Sequence, residues 1–416
     1  VSYADVVKFA EGVPVIVEGT IENGFKPTIE QIKNAVTSKT KVMMFSSPCN
    51  PTGATFTKEE LDENKKHVSI AGRIMTKRGQ GKAGFATCRD FTGVMQVYVA
   101  QANLSDLQFD IWNKVDLGDI LYFEGEVMKT KVGALAVRVL KLVVLSKSLR
   151  PLPEKFHGLT DKEERYRRRY VDLIANEETQ KTFVARSKVI SGMRDHLNKL
   201  DYLEVETPIL QTMPGGAAAE PFVTHHNSLD MQMYLRIAPE LYLKKLVVGG
   251  LPRVYEIGKQ FRNEGMSVKH NPDFTSIELY AMFEDMAGMM DITESLIQEA
   301  CITVNDTLHI KYEDLDLDLS DFKKIHMVDM IKEVTGVDFF VIEDMETAKN
   351  VAKENKVHIE KHHTSVGHII NEFFEQKCED QLIQPTFIFG HPFEISPLAR
   401  LNDENPRFTD RFELFI

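Results

Sequence analysis

The chain has 416 residues, of which 43% are hydrophobic and 27% are charged, and its formal net charge is -12 at pH 7. This length is enough for two or three domains, and this composition argues against a disordered or a fibrous protein. No run of about 18 apolar residues and no signal peptide is recognisable, so neither a membrane span nor secretion is predicted. Four widely spaced cysteines without a CxxC pair favour reduced thiols in a cytoplasmic protein over disulfides or a zinc knuckle.

Residues 1–60 form the first segment of the chain. Hydrophobic spacing predicts two short strands, in "VPVIVE" and "KVMMFSS", and a helix in "TIEQIKNAV". The segment ends in "SSPCNPTGATFTKEEL". We interpret it as a short α/β remnant, because a 60-residue slice of a larger α/β domain cannot bury its own sheet.

Residues 64–150 form the second segment, in which the pattern changes to short alternating runs separated by glycine-containing turns. Five such runs predict five strands, which suggests a small closed barrel. Between residues 66 and 150 there are 13 Lys or Arg against 7 Asp or Glu. One basic module therefore lies within an acidic chain.

A proline-rich hinge, "RPLPEKFHGL", and a linker helix are predicted for residues 151–175. The helix contains "RYRRRY", residues 165–170, for which two roles are open. These arginines could contact a nucleic-acid backbone. They could equally form a solvated helix face that is paired with Asp161, Glu163 and Glu164.

Residues 176–416 are predicted to form a region of mixed helix and strand. Within it, Pro208 closes a strand, and a helix begins at Pro239 and ends at Gly249, because Pro favours the first position of a helix and Gly the position after its last. Residues 286–380 are expected to be mainly helical. The chain then returns to strand in "PTFIFGHPFEISPLA".

The stretch "QFRNEGMSVKHNPDFTSIELY", residues 260–280, has charged side chains on both sides of a polar loop. Because side chains alternate along a strand, the polar faces of the two flanking strands are expected to carry Gln260, Arg262 and Glu264, and Phe274, Ser276, Glu278 and Tyr280. The opposite face of the second strand would carry Ile277, Leu279, Ala281 and Phe283. An antiparallel strand on the protein surface would show the same pattern.

Three details favour a ligand site over a solvated surface. The planar guanidinium of Arg262 matches phosphate oxygens in a bidentate way, and Lys269 and His270 add donors in the loop. Phe274 stands where it could stack on a flat heterocycle. Glu240, in the first turn of its helix, could hold an ammonium group, or it could only complement the helix dipole.

At these residues the chain resembles the class II aminoacyl-tRNA synthetases, specifically the lysyl-tRNA synthetases. "FRNEGMSVKHNPDF" is similar to motif 2 of the class, and the strand ending at Pro208 is similar to motif 1, the dimer-forming motif. Further lysyl-enzyme signatures are "PGGAAA", "LRIAPELYLKKLVVGG" and "EISPLAR". The resemblance covers about residues 64–416. It implies an α+β fold, with an N-terminal OB-fold β-barrel that binds the anticodon and a class II antiparallel-sheet catalytic domain, preceded by the short α/β remnant.

The resemblance implies a role for each residue that matches the family's motifs. Arg262 and Glu264 would be catalytic. ATP would be bound by Arg262, Glu264, His270 and Phe274, and lysine by Gly216, Glu240, Arg262, Glu278 and Tyr280. The anticodon of tRNA(Lys) would be bound in the barrel by Arg78, Phe85 and Gln96, through stacking and hydrogen bonds to base edges. Phe85 could instead belong to the barrel core.

The implied chemistry has two steps. The lysine carboxylate attacks the α-phosphate of ATP and pyrophosphate leaves, after which a terminal ribose hydroxyl of tRNA takes the lysyl group. Positioning, together with charge stabilisation by Arg262 and bound Mg2+, would provide the catalysis. The expected partners are tRNA(Lys), ATP, lysine and a second copy of the chain in a homodimer, and no membrane is expected.

The chain departs from the lysyl-tRNA synthetase pattern at both ends. It ends at "TDRFELFI", so the family's Mg2+ ligands, part of the lysine pocket and motif 3 would lie beyond Ile416, and we expect impaired lysine activation from this polypeptide. Residues 1–60 instead resemble fold-type I aminotransferases, in which the Asn of "NPTG", here Asn50, contacts pyridoxal phosphate. Glu220 is a smaller departure, because relatives tend to have a basic residue after "GGAAA".

Three other functions are open on the sequence alone. A pyridoxal-phosphate aminotransferase would use the first segment, an aspartyl- or asparaginyl-tRNA synthetase would share the barrel and the motifs, and a tRNA-binding dimer without catalysis would use the barrel. Four histidines at near-helical spacing also suggest a metal site, although no acidic or cysteine partner completes it. They are His358, His362, His363 and His368.

Overall fold

The computed structural model describes residues 13–17, 27–40, 66–79, 81–130, 132–153, 159–267 and 270–416. The chain separates into two compact units, with the boundary between Asn176 and Glu177. Most of the first segment, including "KVMMFSS" and Asn50, lies outside the described residues. Residues 13–17, predicted as a strand, have no strand structure. The predicted helix is present as α1, Ile29–Ala35, which begins with a capping box between Thr28 and Gln31.

The N-terminal unit contains the five predicted strands, which close into a barrel in the order β1-β2-β3-β5-β4. Their bounds are β1 His67–Arg78, β2 Ala83–Arg89, β3 Val94–Ala100, β4 Ile120–Lys129 and β5 Leu135–Ser146. All neighbouring strands are antiparallel except β3 and β5. Alternation places one side chain in two inside the barrel, so the core contains Ile74, Ala86, Val97, Leu121, Phe123 and Val139.

A helix that the alternating pattern did not reveal, α2 Asp106–Asn113, connects β3 and β4. Phe109 and Trp112 on this helix are buried in the barrel core. Lys77 of β1 donates to the carbonyl oxygens of Trp112 at 2.7 Å and Val115 at 2.9 Å. The Trp112 carbonyl lies in the last turn of α2 and the Val115 carbonyl just after it, so Lys77 ties the C-terminal end of α2 to the barrel, and burial lowers the pKa of its ammonium.

The linker contains two short helices, α3 Lys162–Arg167 and α4 Arg169–Ala175. The arginines of "RYRRRY" form ion pairs within the linker. Arg165 and Arg169 both bind the fully buried Asp172, and the pairs Arg167–Glu163 and Arg168–Glu164 span 3.4 and 3.2 Å. The ion-paired helix face is therefore the role that the structure supports for these residues.

The C-terminal unit begins with the 23-residue helix α5, Glu177–Lys199. It continues through β6 Leu203–Glu204, β7 Leu210–Gln211, β8 Val223–His226, β9 Met231–Leu235, α6 Glu240–Val248, β10 Arg253–Phe261, β11 Asp273–Ala281 and α7 Met286–Asn305. The predicted helix between Pro239 and Gly249 is confirmed, with these two residues as its caps. The long strand predicted before Pro208 is wrong, because only Leu203 and Glu204 pair there, with β10.

The sheet β11-β10-β6 positions the candidate site. One face of it packs on α5 and α7 through the buried side chains Leu197, Tyr202, Tyr255 and Leu296. The predicted apolar side chains Ile277, Leu279 and Ala281 join this cluster. Phe283 does not, because β11 ends at Ala281 and Phe283 lies in a left-handed turn (φ 63°), 94% exposed.

The remainder of the C-terminal unit contains five strands and three helices. They are β12 His309–Tyr312, β13 Leu315–Asp318, β14 Lys323–His326, α8 Met327–Thr335, α9 Met345–Glu354, α10 Val366–Lys377, β15 Thr386–Pro392 and β16 Phe408–Phe415. The expectation of mainly helical structure over residues 286–380 therefore missed three short strands. In place of the one expected antiparallel sheet, the strands form three-stranded sheets, β11-β10-β6, β7-β9-β8 and β14-β15-β16. Two of these sheets contain a parallel pair, β6–β10 and β14–β15, each joined by a long crossover.

Among the helices of the described ranges, none combines the length and the apolar character needed to cross a bilayer.

Candidate active site

The hairpin of β10 and β11 presents one polar face away from the helices. Its antiparallel register pairs Val254 with Tyr280, Glu256 with Glu278, Gly258 with Ser276 and Gln260 with Phe274. Because facing residues of an antiparallel pair share a side of the sheet, these eight residues lie on one surface. The strand β10 ends at Phe261, so Arg262 and Glu264 follow the strand and do not continue its alternation.

Arg262 and Phe274 meet at one end of this face. The backbone N–H of Arg262 donates to the carbonyl of Pro272 at 2.8 Å, and its Nε donates to the carbonyl of Ile237 at 3.5 Å. These bonds hold the guanidinium 5.2 Å from the centre of the Phe274 ring. Both side chains are half-buried. A guanidinium beside an aromatic face can bind a phosphate next to a stacked heterocycle.

Glu264 and His270 lie in the exposed loop between β10 and β11. The side chains of Ser267 and His270 form a hydrogen bond at 2.8 Å. Within the described residues, neither Glu264 nor His270 forms a hydrogen bond or an ion pair with Arg262. Lys269, predicted as a further donor, lies outside the described residues.

Gly216, Glu240, Glu278 and Tyr280 form an acidic pocket at the other end of the face. The Tyr280 hydroxyl donates to the Glu278 carboxylate at 2.7 Å, and α6 carries Glu240 against β11. Gly216 has a φ of 87°, and a Cβ on it would lie 2.9 Å from the Cβ of Glu240. Only glycine allows this approach of the backbone to Glu240.

The acidic pocket brings carboxylates close to one another. Burial raises the pKa of Glu278, and although the Tyr280 hydroxyl opposes that rise, Glu240 and Glu256 add to it. The pKa of Tyr280 is raised by burial, by Glu278 and by Glu240. A buried carboxylate whose pKa is raised by neighbouring carboxylates favours a cation beside it, so this pocket is suited to an ammonium ligand.

A buried ion pair beneath the face was not predicted from the sequence. Arg236 and Glu256 are 1% and 4% exposed and bind each other. Thr207 donates its hydroxyl to Glu256 at 2.7 Å, and the Nε of Arg236 donates to the carbonyl of Lys259 at 2.9 Å. The guanidinium occupies the space that a side chain at Gly258 would need. The only sequence signal was a charge within the apolar run "MYLRIAP".

This ion pair connects three chain segments that lead to the site. Thr207 precedes Pro208, Arg236 lies four residues before Glu240, and Glu256 lies six residues before Arg262. Glu256 also stands directly opposite Glu278. Like charges in facing positions are destabilising, so Arg236 lets the two glutamates share one face.

Metal ligands are not grouped in the described parts of the chain: no three His, Cys, Asp or Glu side chains there are arranged to hold an ion. Histidines of the group predicted as a metal site have other contacts. The Nε2 of His363 lies 3.5 Å from Glu372, and the rings of His363 and His368 stack. The Mg2+ that the family resemblance implies has no protein site among these residues.

In the barrel, Arg78, Phe85 and Gln96 lie on adjacent strands. Arg78 faces Phe85, Phe85 faces Tyr98, and Gln96 faces Thr87. Buried and half-buried residues alternate along β2, and Phe85 is one of the half-buried ones, so its ring points away from the core. The alternative that Phe85 belongs to the barrel core is therefore wrong. Its ring lies 4.9 Å from that of Tyr98, a second aromatic residue of this face that was not predicted.

Both units match protein-family models. Residues 161–416 match the family of tRNA synthetases class II (D, K and N), and residues 68–145 match the OB-fold nucleic acid binding domain. Residues 1–68 match aminotransferase class I and II.

The chain is also similar to individual proteins named lysine-tRNA ligase. It is 56% identical over 364 residues to the protein of Staphylococcus epidermidis, and the aligned region covers 87% of this chain and 73% of the relative. It is 55% identical over 374 residues to that of Staphylococcus saprophyticus, covering 89% and 75%. The protein of Staphylococcus aureus is 55% identical over 364 residues, covering 87% and 73%.

Proposed function

The chain belongs to the class II tRNA synthetases of the D, K and N group, and from this premise we propose that it activates lysine with ATP and transfers it to tRNA(Lys). It is therefore an aminoacyl-tRNA synthetase. We propose which amino acid it activates, which residues form its site and which partners it binds. The aminotransferase alternative is not favoured, because the similarity to that family stops at residue 68.

The acidic pocket is the observation that supports lysine most directly. Lysine has two ammonium groups, and Glu240 and Glu278 are two carboxylates within one small pocket whose mutual repulsion these ammonium groups would relieve. Asparagine has no side-chain charge and the aspartate side chain is an anion, so neither would gain from these carboxylates. Gly216 leaves room for the ligand beside Glu240.

Arg262 and Phe274 are proposed to bind ATP at the opposite end of the face. The guanidinium would hold the α-phosphate and the lysine carboxylate close together, and Phe274 would support the adenine ring. The carboxylate oxygen then forms a bond to the α-phosphorus while the bond to the pyrophosphate oxygen breaks. Arg262 stabilises the charge that develops on the phosphoryl oxygens, and Glu264 and His270 in the adjoining loop are proposed to approach ATP when it binds.

The partners of this reaction are proposed from both units. The outer face of β1, β2 and β3 carries Arg78, Phe85 and Gln96, a cation, a ring and an amide, which are suited to single-stranded anticodon bases. A homodimer is supported by exposed apolar side chains between β6 and β8, namely Leu203, Ile209, Leu210, Met213 and Val223. Sedimentation of the purified chain would test the dimer.

Lysine-dependent exchange of pyrophosphate into ATP tests the proposed activity. Whatever its rate, we expect the exchange to depend on lysine, with little exchange in the presence of ornithine or arginine and none with aspartate or asparagine. Glu278→Gln should abolish it, while Glu313→Gln, in an exposed turn of the same unit, should not. Exchange that is stronger with aspartate or asparagine, or that is the same with and without lysine, would overturn the proposal. Charging of tRNA(Lys) then tests the second step.

A further inference from the structure

Lys244 places an ammonium group of the protein itself at the mouth of the acidic pocket. It lies one helical turn after Glu240 on α6, and its Nζ is 2.6 Å from the Glu240 carboxylate. The same Nζ is 5.9 Å from the centre of the Tyr280 ring. The side chain of Lys244 is 55% exposed and that of Glu240 is 29% exposed, so the ion pair lies between the pocket and the solvent.

The carboxylates of the site differ in how they are neutralised. Glu256 has a buried and fixed partner in Arg236. Within the described residues, Glu278 has a neutral partner in Tyr280. Glu240 alone is paired with a flexible, half-exposed cation, which can leave for water without breaking the core.

We propose that Lys244 is an internal competitor of the amino-acid substrate. Its ammonium occupies Glu240 in the free enzyme and swings into solvent when an ammonium group of lysine takes its place. The inference rests on the proposed function, because it assumes that lysine is the ligand. Lys244 is chemically the same group as the ligand it gives way to, and its four-carbon stem permits the exchange. The pocket thus keeps its charge balance with and without substrate, and the affinity for lysine is set below the value that the carboxylates alone would give.

Calorimetric titration of lysine into the free enzyme tests this competition. Loss of a partly exposed ion pair that competes with the ligand should tighten binding by about two- to five-fold. We therefore expect a lower Kd for lysine in Lys244→Met and a wild-type Kd in Lys244→Arg, which restores the cation. Lys245→Met is the matched control, because Lys245 is the next residue of the same helix and lies over Tyr242. The Kd for ATP should not change in any of these variants.

A variant of Glu240 separates competition from a general effect of charge. In the Glu240→Gln background, Lys244→Met should give no further gain, since Lys244 no longer blocks a carboxylate. An unchanged or weaker lysine Kd in Lys244→Met, an equal gain in Lys245→Met, or a gain that survives Glu240→Gln would each overturn the inference. A wild-type chain that binds no lysine would instead overturn the proposed function, and the inference with it.

Discussion

The barrel face and the β10–β11 face are built from the same kind of antiparallel pairing but hold their polar side chains differently. On the barrel, Phe85 and Tyr98 are half-buried and contact each other, and Arg78 is exposed. On the β10–β11 face, Glu256 is buried and paired with Arg236, and it stands opposite the half-buried Glu278. The barrel face presents these residues from half-buried and exposed positions, whereas the catalytic face depends on a buried charge.

This difference follows from the ligands proposed for each face. A nucleic-acid strand brings large, flat bases that stack on any exposed ring, so exposure is sufficient. A small ligand with two ammonium groups needs carboxylates at fixed positions with reduced hydration, and such carboxylates are stable only if each has a partner. The comparison predicts large losses when the buried pair is broken and smaller ones when the barrel face is altered.

The largest expected effect is that of Arg236→Met on stability. The substitution leaves Glu256 buried without a partner, which costs about 3 to 5 kcal/mol. Urea unfolding of the C-terminal unit, followed by tyrosine fluorescence, would measure the loss. Lys259→Met, on the strand that carries Glu256, is the control, because Lys259 pairs with Asp273 at 3.1 Å in solvent, and about 1 kcal/mol or less is expected for it. Equal losses would contradict the distinction between buried and exposed pairs.

The next effect is that of Arg262→Ala on the first chemical step. Removing one group that stabilises developing charge should slow lysine-dependent pyrophosphate exchange by about 100- to 1000-fold. Arg262→Lys keeps the charge but loses the planar fork, so its rate should be intermediate. If Arg262→Lys were as slow as Arg262→Ala, the planar fork of the guanidinium, and not its charge alone, would be what the reaction needs. If Arg262→Ala kept the wild-type rate, Arg262 would not be part of the site.

A smaller effect is expected on the barrel. Phe85→Ala should weaken binding of tRNA(Lys) by about 1 to 3 kcal/mol, the contribution of one stacked base. Phe91→Ala is the matched control, because Phe91 is 78% exposed in the turn between β2 and β3. Filter binding at fixed salt would compare the two variants. Equal weakening would mean that any exposed ring of the barrel serves and that the face is not specific.

Alternation was sufficient to predict the barrel. The five strands follow from period-two patterns, since every strand faces a single core, although the side on which Phe85 lies was left open. Alternation also predicted the packing of Ile277 and Leu279. It was wrong for Phe283, because nothing local indicates that β11 ends two residues earlier in a left-handed turn.

The catalytic face could not be predicted in the same way. Glu240 and Gly216 are 24 residues apart in sequence, and their approach depends on how α6 packs against β11, which no local pattern specifies. Their roles came from the family resemblance. The burial of Arg236 was not predicted because a buried arginine is exceptional. Its partner Glu256 lies on β10, which no local pattern around Arg236 indicates.

The smallest expected effect is on the pH dependence of lysine binding, which tests the role of the half-buried Glu278 on the catalytic face. Glu278 must be ionised to hold an ammonium group, and burial raises its pKa, so lysine affinity should be complete above that pKa and fall as the pH drops through it. The fall should occur at higher pH than for an ordinary glutamate, whose pKa is about 4.3. Because the Tyr280 hydroxyl stabilises the charged form, Tyr280→Phe should raise the pKa of Glu278 further and move the fall in affinity to higher pH. Tyr242→Phe, on α6, is the control, and a pH profile that Tyr280→Phe leaves in place would show that Glu278 does not govern lysine binding.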